Sequence, residues 1–373
     1  MPVDLTREFP LDPDILYLNH AAVAPWPARA HDAVVHFAAQ NIHQGARDYP
    51  TWLATEQRLR EQLAALIGAA SAEDIALLKN TSEGLSVIAA GLPWQAGDRV
   101  LISDQEFPSN RIPWQALARR GVEVVSVSLA HDDPEQALID AMDTDVRLLA
   151  ISAVQYGTGL RLDMARLGRA CRERNILFCV DAIQAIGAVP VQVLDWHADF
   201  VVADGHKWML GPEGLALFWC RPTLRDTLTL HQFGWHMIEH AGDYDRLDWQ
   251  PARSARRFEC GSPNLLGAHA LSASLSLLLE VGMDTVAREL ASRVQYLHDA
   301  LGDAGMQVLS ADHAHRRAGI ITFRDPQRDS DALFEQLRHQ GVVCARRGGG
   351  IRFSPHFYTP MAVLERAVDL LRR

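Results

Sequence analysis

Lysine is nearly absent from this 373-residue chain: of 36 basic residues, only Lys79 and Lys207 are lysines. Arginine can supply lysine's charge, but it cannot give up its proton and attack a carbonyl carbon. A lysine kept in such a background marks a place where a neutral primary amine is useful. Lys207 lies in the stretch "ADGHKWMLGPEG" (203–214), just after the apolar run "DFVVADG" (199–205). A lysine carried into a half-buried site at a strand end loses its proton more readily, because burial disfavours the charged form. It can then form a Schiff base.

Two further stretches bear on the same chemistry. Asp181 closes the apolar run "ILFCVDA" (176–182). Ligands of α/β sheets bind at the carboxyl ends of strands, and a buried carboxylate needs a partner. Asp181 therefore either caps a turn or meets a cationic ligand such as a protonated pyridine nitrogen. Gln184, three residues on, is placed to donate to a phenolate oxygen. In "LLKNTSEGLSV" (77–87), Thr81 and Ser82 stand where a strand gives way to a helix. Free N–H groups and hydroxyls there form an anion site, although an ordinary helix cap uses the same residue types. Taken together, an amine, a partner for a ring nitrogen, a partner for a phenolate and a phosphate cradle are the four handles of pyridoxal 5′-phosphate. Other cofactors fit less well. "GTG" (157–159) lacks the third glycine of a dinucleotide fingerprint, no G-x-x-x-x-G-K occurs, and "HMIEH" (236–240) is not H-E-x-x-H, so no metal is expected.

The elements that must position these residues alternate. Strands are predicted at 74–79, 99–104, 123–129, 147–154, 176–182, 199–205 and 215–220, with amphipathic helices near 83–92, 113–121, 134–142 and 163–174. The alternation predicts a doubly wound α/β fold with a seven-stranded, mostly parallel sheet. The last two strands are too close for a helical crossover, so one of them is expected to run antiparallel. Residues 231–267 show no periodicity and read as a long functional loop. Helices at 264–281 and 283–302 and an α+β tail follow. The expected division is a large domain over 16–255 and a smaller α+β C-terminal domain over 256–373, joined by residues 1–15.

Composition narrows the function classes. The formal charge of −10 argues against a nucleic-acid or anionic-membrane partner, which would need a basic face. No run has the apolar length of a membrane span, and the acidic, proline-punctuated start is not a signal peptide. The five cysteines are odd in number and contain no C-x-x-C, which suits a reducing compartment; a cytoplasmic protein is expected.

At this level the chain resembles the class V aminotransferase superfamily of fold-type I pyridoxal-phosphate enzymes, which includes cysteine desulfurases, kynureninase and isopenicillin N epimerase-like proteins. The resemblance runs through "YLNHAAVAP" (17–25), "NTSEG" (80–84), "DQEFPSNRIPW" (104–114), "SAVQYGTGLRLD" (152–163), "DAIQAIG" (181–187), "GHKW" (205–208), "RFECGSPNLLG" (257–267) and "IRFSPHFYT" (351–359). It implies that Lys207 carries the cofactor and moves the proton, that Asp181 holds the pyridine nitrogen protonated, and that Gln184 meets O3′. It further implies that Thr81, Ser82 and His206 bind the phosphate, that Ser262 reaches the phosphate of a neighbouring subunit in a homodimer, and that Arg352 clamps the substrate α-carboxylate. Asn19 and His20 are expected at the mouth of the site.

Departures from the pattern choose among subfamilies. Where desulfurases carry a histidine on the cofactor, this chain has "EFPSN", so Phe107 is expected to stack there. The loop expected to carry a desulfurase's cysteine is reduced to glycines, and Cys344 lies upstream, where a small apolar role is favoured. Asp204 occupies a position usually held by serine, and its charge would repel phosphate. The reading is a homodimeric enzyme acting on an amino acid or primary amine, an aminotransferase first and closest in pattern to the isopenicillin N epimerase-like branch. Epimerisation or C–S/C–C lysis is the alternative; desulfuration and a non-catalytic regulatory role rank lower. His20, Tyr156, His356 and Tyr358 are the candidate second acids for an epimerase.

Overall fold

The computed structural model describes residues 3–372. Its large sheet is made of β1 (Ile75–Leu78), β2 (Arg99–Ser103), β3 (Glu123–Val127), β4 (Val146–Ser152), β5 (Leu177–Asp181), β6 (Phe200–Asp204) and β7 (Ala216–Cys220). These lie in the order β1-β7-β6-β5-β4-β2-β3. Every pairing is parallel except those of β7, which runs antiparallel to both β6 and β1. The short 205–215 connection explains why: it contains no helix to return the chain to the starting edge. All five positions of β6 and of β7 are buried, and their sequences accordingly read as continuous apolar runs rather than alternating ones. Predicted and observed strand boundaries agree to within two residues.

The helices fall less neatly on expectation. Ala28–Gln44 (α1) and Tyr49–Ile67 (α2) lie in a region the sequence reading left unassigned. In α1 only Ala30 is fully buried, although Phe37 packs on Trp52 and His269. The stretch predicted as a helix at 113–121 is instead a short turn of helix, Ile112–Gln115, followed by a 3-10 segment, Ala116–Arg120. Thr81–Gly91 (α3) starts directly after β1, capped by Asn80, whose side chain accepts from Glu83 N at 2.9 Å. Helix Leu265–Val281 (α4) packs on α1 and α2, beside the large sheet, although its sequence position lies in the C-terminal third. No single described helix is long and apolar enough to cross a membrane.

A second, four-stranded antiparallel sheet contains β8 (Gln307–Val308), β9 (Ile321–Arg324), β10 (Ala345–Arg347) and β11 (Gly350–Phe353), in the order β10-β11-β9-β8. The N-terminal arm ties the two sheets together. Leu16–Tyr17 pairs in parallel with Val342–Val343, and Asn19 bridges to Ser354. The arm then crosses to the large sheet, where Ala24 N donates to His206 O at 2.9 Å. Trp208, the residue after Lys207, is fully buried in the core of the small sheet.

Candidate active site

A cavity of about 260 Å³ opens at the carboxyl ends of β1, β5 and β6, where the arm and the β10–β11 hairpin meet the large sheet. It is lined by Thr81, Ser82, Phe107, Asp181, Gln184, His206 and Lys207 from the large sheet, and by Arg347 and Arg352 from the hairpin. A larger hollow of about 380 Å³ beside Arg161 and Trp196 contains none of the predicted chemistry.

Lys207 sits in a tight loop after β6. Gly211 N donates to Gly205 O at 2.9 Å and Leu210 N to Lys207 O at 3.0 Å. Leu210 takes a left-handed backbone (φ 62°), a conformation that costs a branched residue about 1–2 kcal/mol. Complete burial of its side chain holds it there. Among the described residues, Lys207 Nζ has no hydrogen bond and no ion pair; it stands 5.7 Å from the centre of the Phe107 ring. Burial pushes its pKa down, only partly offset by the charge of Asp181.

Asp181 ends β5, and its Oδ1 accepts from Ile183 N at 3.0 Å. Burial, reinforced by the nearby carboxylate of Glu106, pushes its pKa up. A cationic partner in the cavity would remove that penalty. The amide of Gln184 is oriented from behind: Trp208 Nε1 donates to Oε1 at 2.7 Å, and Nε2 donates to Ala21 O at 3.0 Å. One hydrogen on Nε2 is left to give.

At the other end of the cavity, Thr81 is the first residue of α3, with the free N–H groups of the helix terminus beside it. Its hydroxyl accepts from Asp204 N at 3.1 Å. Ser82 Oγ donates to Ser109 Oγ at 2.8 Å. Asp204, whose charge looked unfavourable for an anion site, lies with Oδ1 2.9 Å from His206 Nδ1, though not in hydrogen-bond alignment. The histidine thus stands against the carboxylate that would otherwise face an anion alone.

On the hairpin side, Arg352 is only 3% exposed. Its Nη1 donates to Tyr156 O at 2.8 Å, its Nε has no partner, and no carboxylate pairs with it among the described residues. Burial, with Arg347 adding repulsion, pushes its pKa down to about 10. Phe107 is part-exposed in the cavity wall, its ring edge-on to Tyr156 at 5.1 Å.

Several predicted residues lie elsewhere. His20 does not reach the mouth: it is fully buried, with Nδ1 2.9 Å from Ser354 O and Nε2 2.7 Å from the Tyr358 hydroxyl. Asn19 is likewise not in the cavity wall; Ala21, Ala22 and Val23 of the arm take that place. Parallel pairing of the arm with Val342–Val343, continued by the Asn19–Ser354 bridge, turns His20 into the core. Of the four candidate second acids, only Tyr156 lines the cavity; Tyr358 and His356 are buried with His20. Ser262 is exposed and lines a separate cleft with Lys79 and Cys260. Cys344 is buried outside the cavity, where burial pushes its thiol up to about 12.

The sequence reading passed over Glu106. Its buried carboxylate accepts from Ser103 Oγ (2.8 Å), Asn110 Nδ2 (2.8 Å), Ser152 N (3.1 Å) and Oγ (2.5 Å), and Gln155 Nε2 (3.0 Å). This network stakes "EFPSN" to β4 and presents Phe107 to the cavity. The neighbours of Glu106 in sequence, "SDQEFPSNR" (103–111), are mostly polar and give no sign of burial; three of its five donor groups come from Ser152 and Gln155, more than forty residues away. Of the basic pair Arg346–Arg347, which in sequence fits an active site as well as a surface patch, Arg347 lines the cavity.

A family model for aminotransferase class V matches residues 16–358, and the chain belongs to that family. Pyridoxal phosphate is its cofactor, and the donor set fits: a buried amine with no partner, a buried carboxylate awaiting a cation, and a helix N-terminus with two hydroxyls. A probable cysteine desulfurase of Methanothermobacter thermautotrophicus is 29% identical over 95% of this chain and 93% of its own length. The isopenicillin N epimerase of Streptomyces clavuligerus is 29% identical over 97% of this chain and 95% of its own. Among solved structures, a lysine-to-alanine mutant of C-DES with glycine covalently linked to the PLP cofactor superposes with a TM-score of 0.92. It is 21% identical, covering 100% of this chain and 99% of that one. Relatives with such different names share one scaffold, so family membership leaves the reaction to be argued from the site.

Proposed function

We propose that this protein is a cytoplasmic, homodimeric aminotransferase whose substrate carries a primary amine and a carboxylate. One observation carries the choice of reaction. Lys207 is a buried, unpaired amine, whereas three of the four candidate second acids (His20, His356 and Tyr358) and the cysteine a persulfide transfer would use (Cys344) are packed in the core; Tyr156 alone lines the cavity and is the one group left for an epimerase. A transaminase needs one proton-moving group, and Lys207 is sufficient.

Pyridoxal phosphate bound here supplies an electron sink for a carbanion at the substrate α-carbon. The residues of the chain do the rest. The N–H groups at the start of α3, with Thr81, Ser82 and His206, hold the phosphate. Asp181 would face the ring nitrogen and keep it protonated, while Gln184 would donate its free Nε2 hydrogen to O3′. Phe107 covers the ring face. Arg352 receives the carboxylate through Nε and its remaining guanidinium donors, a geometry suited to two parallel hydrogen bonds. Lys207, favoured in its neutral form by burial, is the group whose Nζ would accept the α-proton and, for amino transfer, pass it to the cofactor instead of returning it to the same carbon. Ser262, exposed at the edge of its own subunit, is assigned to the partner's phosphate. The large apolar side chains left in solvent support a covering subunit: Ile42 is 78% exposed, Leu247 95% and Trp249 57%.

The test is an amino-acid screen in deuterated water with mass-spectrometric detection. A keto acid formed from the amino donor, with transfer of nitrogen to a keto-acid acceptor, is the expected result. Deuterium at the α-carbon with racemisation, an eliminated fragment, or sulfide plus alanine from cysteine would each replace this reading with epimerase, lyase or desulfurase.

A further inference from the structure

Arg352 is not the only guanidinium in the cavity. Arg347 lines it as well, and both are carried by the β10–β11 hairpin. The hairpin turns on Gly348 and Gly349, both at positive φ (60° and 82°). A Cβ on Gly348 would fall 2.3 Å from Gly157 O, so the tip is pressed directly onto the segment that carries Tyr156. The ladder pairs Ala345 with Arg352 and Arg347 with Gly350. Directly opposed residues, and residues two apart, share one face of a sheet. Arg347 and Arg352 therefore occupy the same face, diagonal across the ladder, and the side chains opposite them are the two smallest, alanine and hydrogen.

Arg346, between them in sequence, belongs to the other face and is paired there with Asp331. Arg347 has no such partner: among the described residues its one side-chain hydrogen bond goes from Nη1 to Arg346 O at 2.8 Å. Two guanidiniums of one sign, both without a carboxylate and both facing one cavity, repel each other until an anion arrives. The acidic residues of the same cavity face other groups or come from another element. Asp204 stands against His206, Asp181 lies at the end of β5, and Glu213 is carried by the turn before β7.

We infer that the substrate of this enzyme carries a second acidic group, received by Arg347 while Arg352 holds the α-carboxylate. The inference rests on the reading of Arg352 as the carboxylate clamp. A diagonal pair on a sheet is about 7–8 Å apart at the backbone, which suits a four- or five-carbon dicarboxylic skeleton.

The test is binding of unreactive acids to the holoenzyme, measured by titration calorimetry. Succinate is compared with butyrate, and glutarate with pentanoate. At least one dicarboxylate is expected to bind about tenfold more tightly than its monocarboxylate, the gain from one added guanidinium–carboxylate pair. Arg347→Gln should abolish the difference between dicarboxylate and monocarboxylate; Arg346→Gln, on the other face of the hairpin, should leave it as in the native enzyme. Equal affinities in the native enzyme, a preference that survives Arg347→Gln, or no binding of either dicarboxylate overturns the inference. Failure to form a keto acid in turnover refutes the aminotransferase reading alone, because these ligands do not react.

Discussion

Replacing Arg352 by methionine should make the protein more stable and the enzyme far worse. In the folded chain the guanidinium is buried and lacks a carboxylate, and its pKa is pushed from 12.5 down to about 10. That difference corresponds to roughly 3 kcal/mol against keeping the charge in the folded state. Folding lowers the affinity of this cation for its proton, so the penalty is in full force at neutral pH and is relieved only as pH rises past about 10. Methionine removes the charge and fills similar space, at the cost of the hydrogen bond to Tyr156 O, worth about 1 kcal/mol. The balance is a gain of about 2 kcal/mol, a rise of a few degrees in unfolding temperature. Binding moves the other way. Loss of a buried guanidinium opposite a carboxylate costs about 2–5 kcal/mol, so kcat/KM for a carboxylate-bearing donor should fall by roughly 30-fold to 5,000-fold, mostly through KM. Calorimetric unfolding of apo- and holoenzyme at matched protein concentration, with steady-state kinetics, tests both halves. A variant destabilised by more than about 1 kcal/mol would refute the reasoning, because Arg352 would then be a structural residue and not one held in readiness for an anion.

Three further outcomes follow from the geometry. His20 is buried and held neutral, its pKa pushed from 6.5 down to about 4, so stability should be full above pH 6.5 and fall by about 3 kcal/mol as pH drops to about 4, as the unfolded chain takes up the proton first; urea midpoints across that range should flatten in His20→Gln. Gly348→Ala puts a Cβ against Gly157 O at a left-handed position and should cost about 1–3 kcal/mol and lower kcat/KM by displacing the hairpin, whereas Gly302→Ala, at a site with open space, should do neither. Alkylation of native protein should label Cys260, the half-buried cysteine, well before the other four, and Cys344→Ala should leave amino transfer within about twofold of native; peptide mass mapping and kinetics check both.

Much of the scaffold was legible because it depends on local pattern. Seven apolar runs separated by amphipathic stretches specify a buried, mostly parallel sheet, and a connection too short for a crossover helix specifies the antiparallel strand. Lysine, aspartate and a Thr–Ser pair at strand ends converge because a doubly wound sheet brings those ends to one edge. Helices α1 and α2 have no counterpart among the predicted elements: α1 leaves all but Ala30 at least partly exposed, and α2 buries Glu56 and Arg60 among its apolar residues, which interrupts its apolar face in sequence.

The sequence by itself therefore determined the amine, the family of its chemistry and the sheet that presents it. Only the tertiary structure decided what faces the cavity. His20 sits in a motif expected at the mouth, yet a two-residue parallel pairing between Leu16–Tyr17 and Val342–Val343 turns it into the core. Asp204 looks hostile to phosphate until His206 is seen against it, and Glu106 has no visible purpose until donors from Ser152 and Gln155 join the local ones from Ser103 and Asn110. Arg346 and Arg347 are identical residues side by side in sequence; the period-2 pleat sends one to Asp331 and the other to the cavity. Facing is a property of register and long-range pairing, and those are set by contacts hundreds of residues apart rather than by neighbours in the chain.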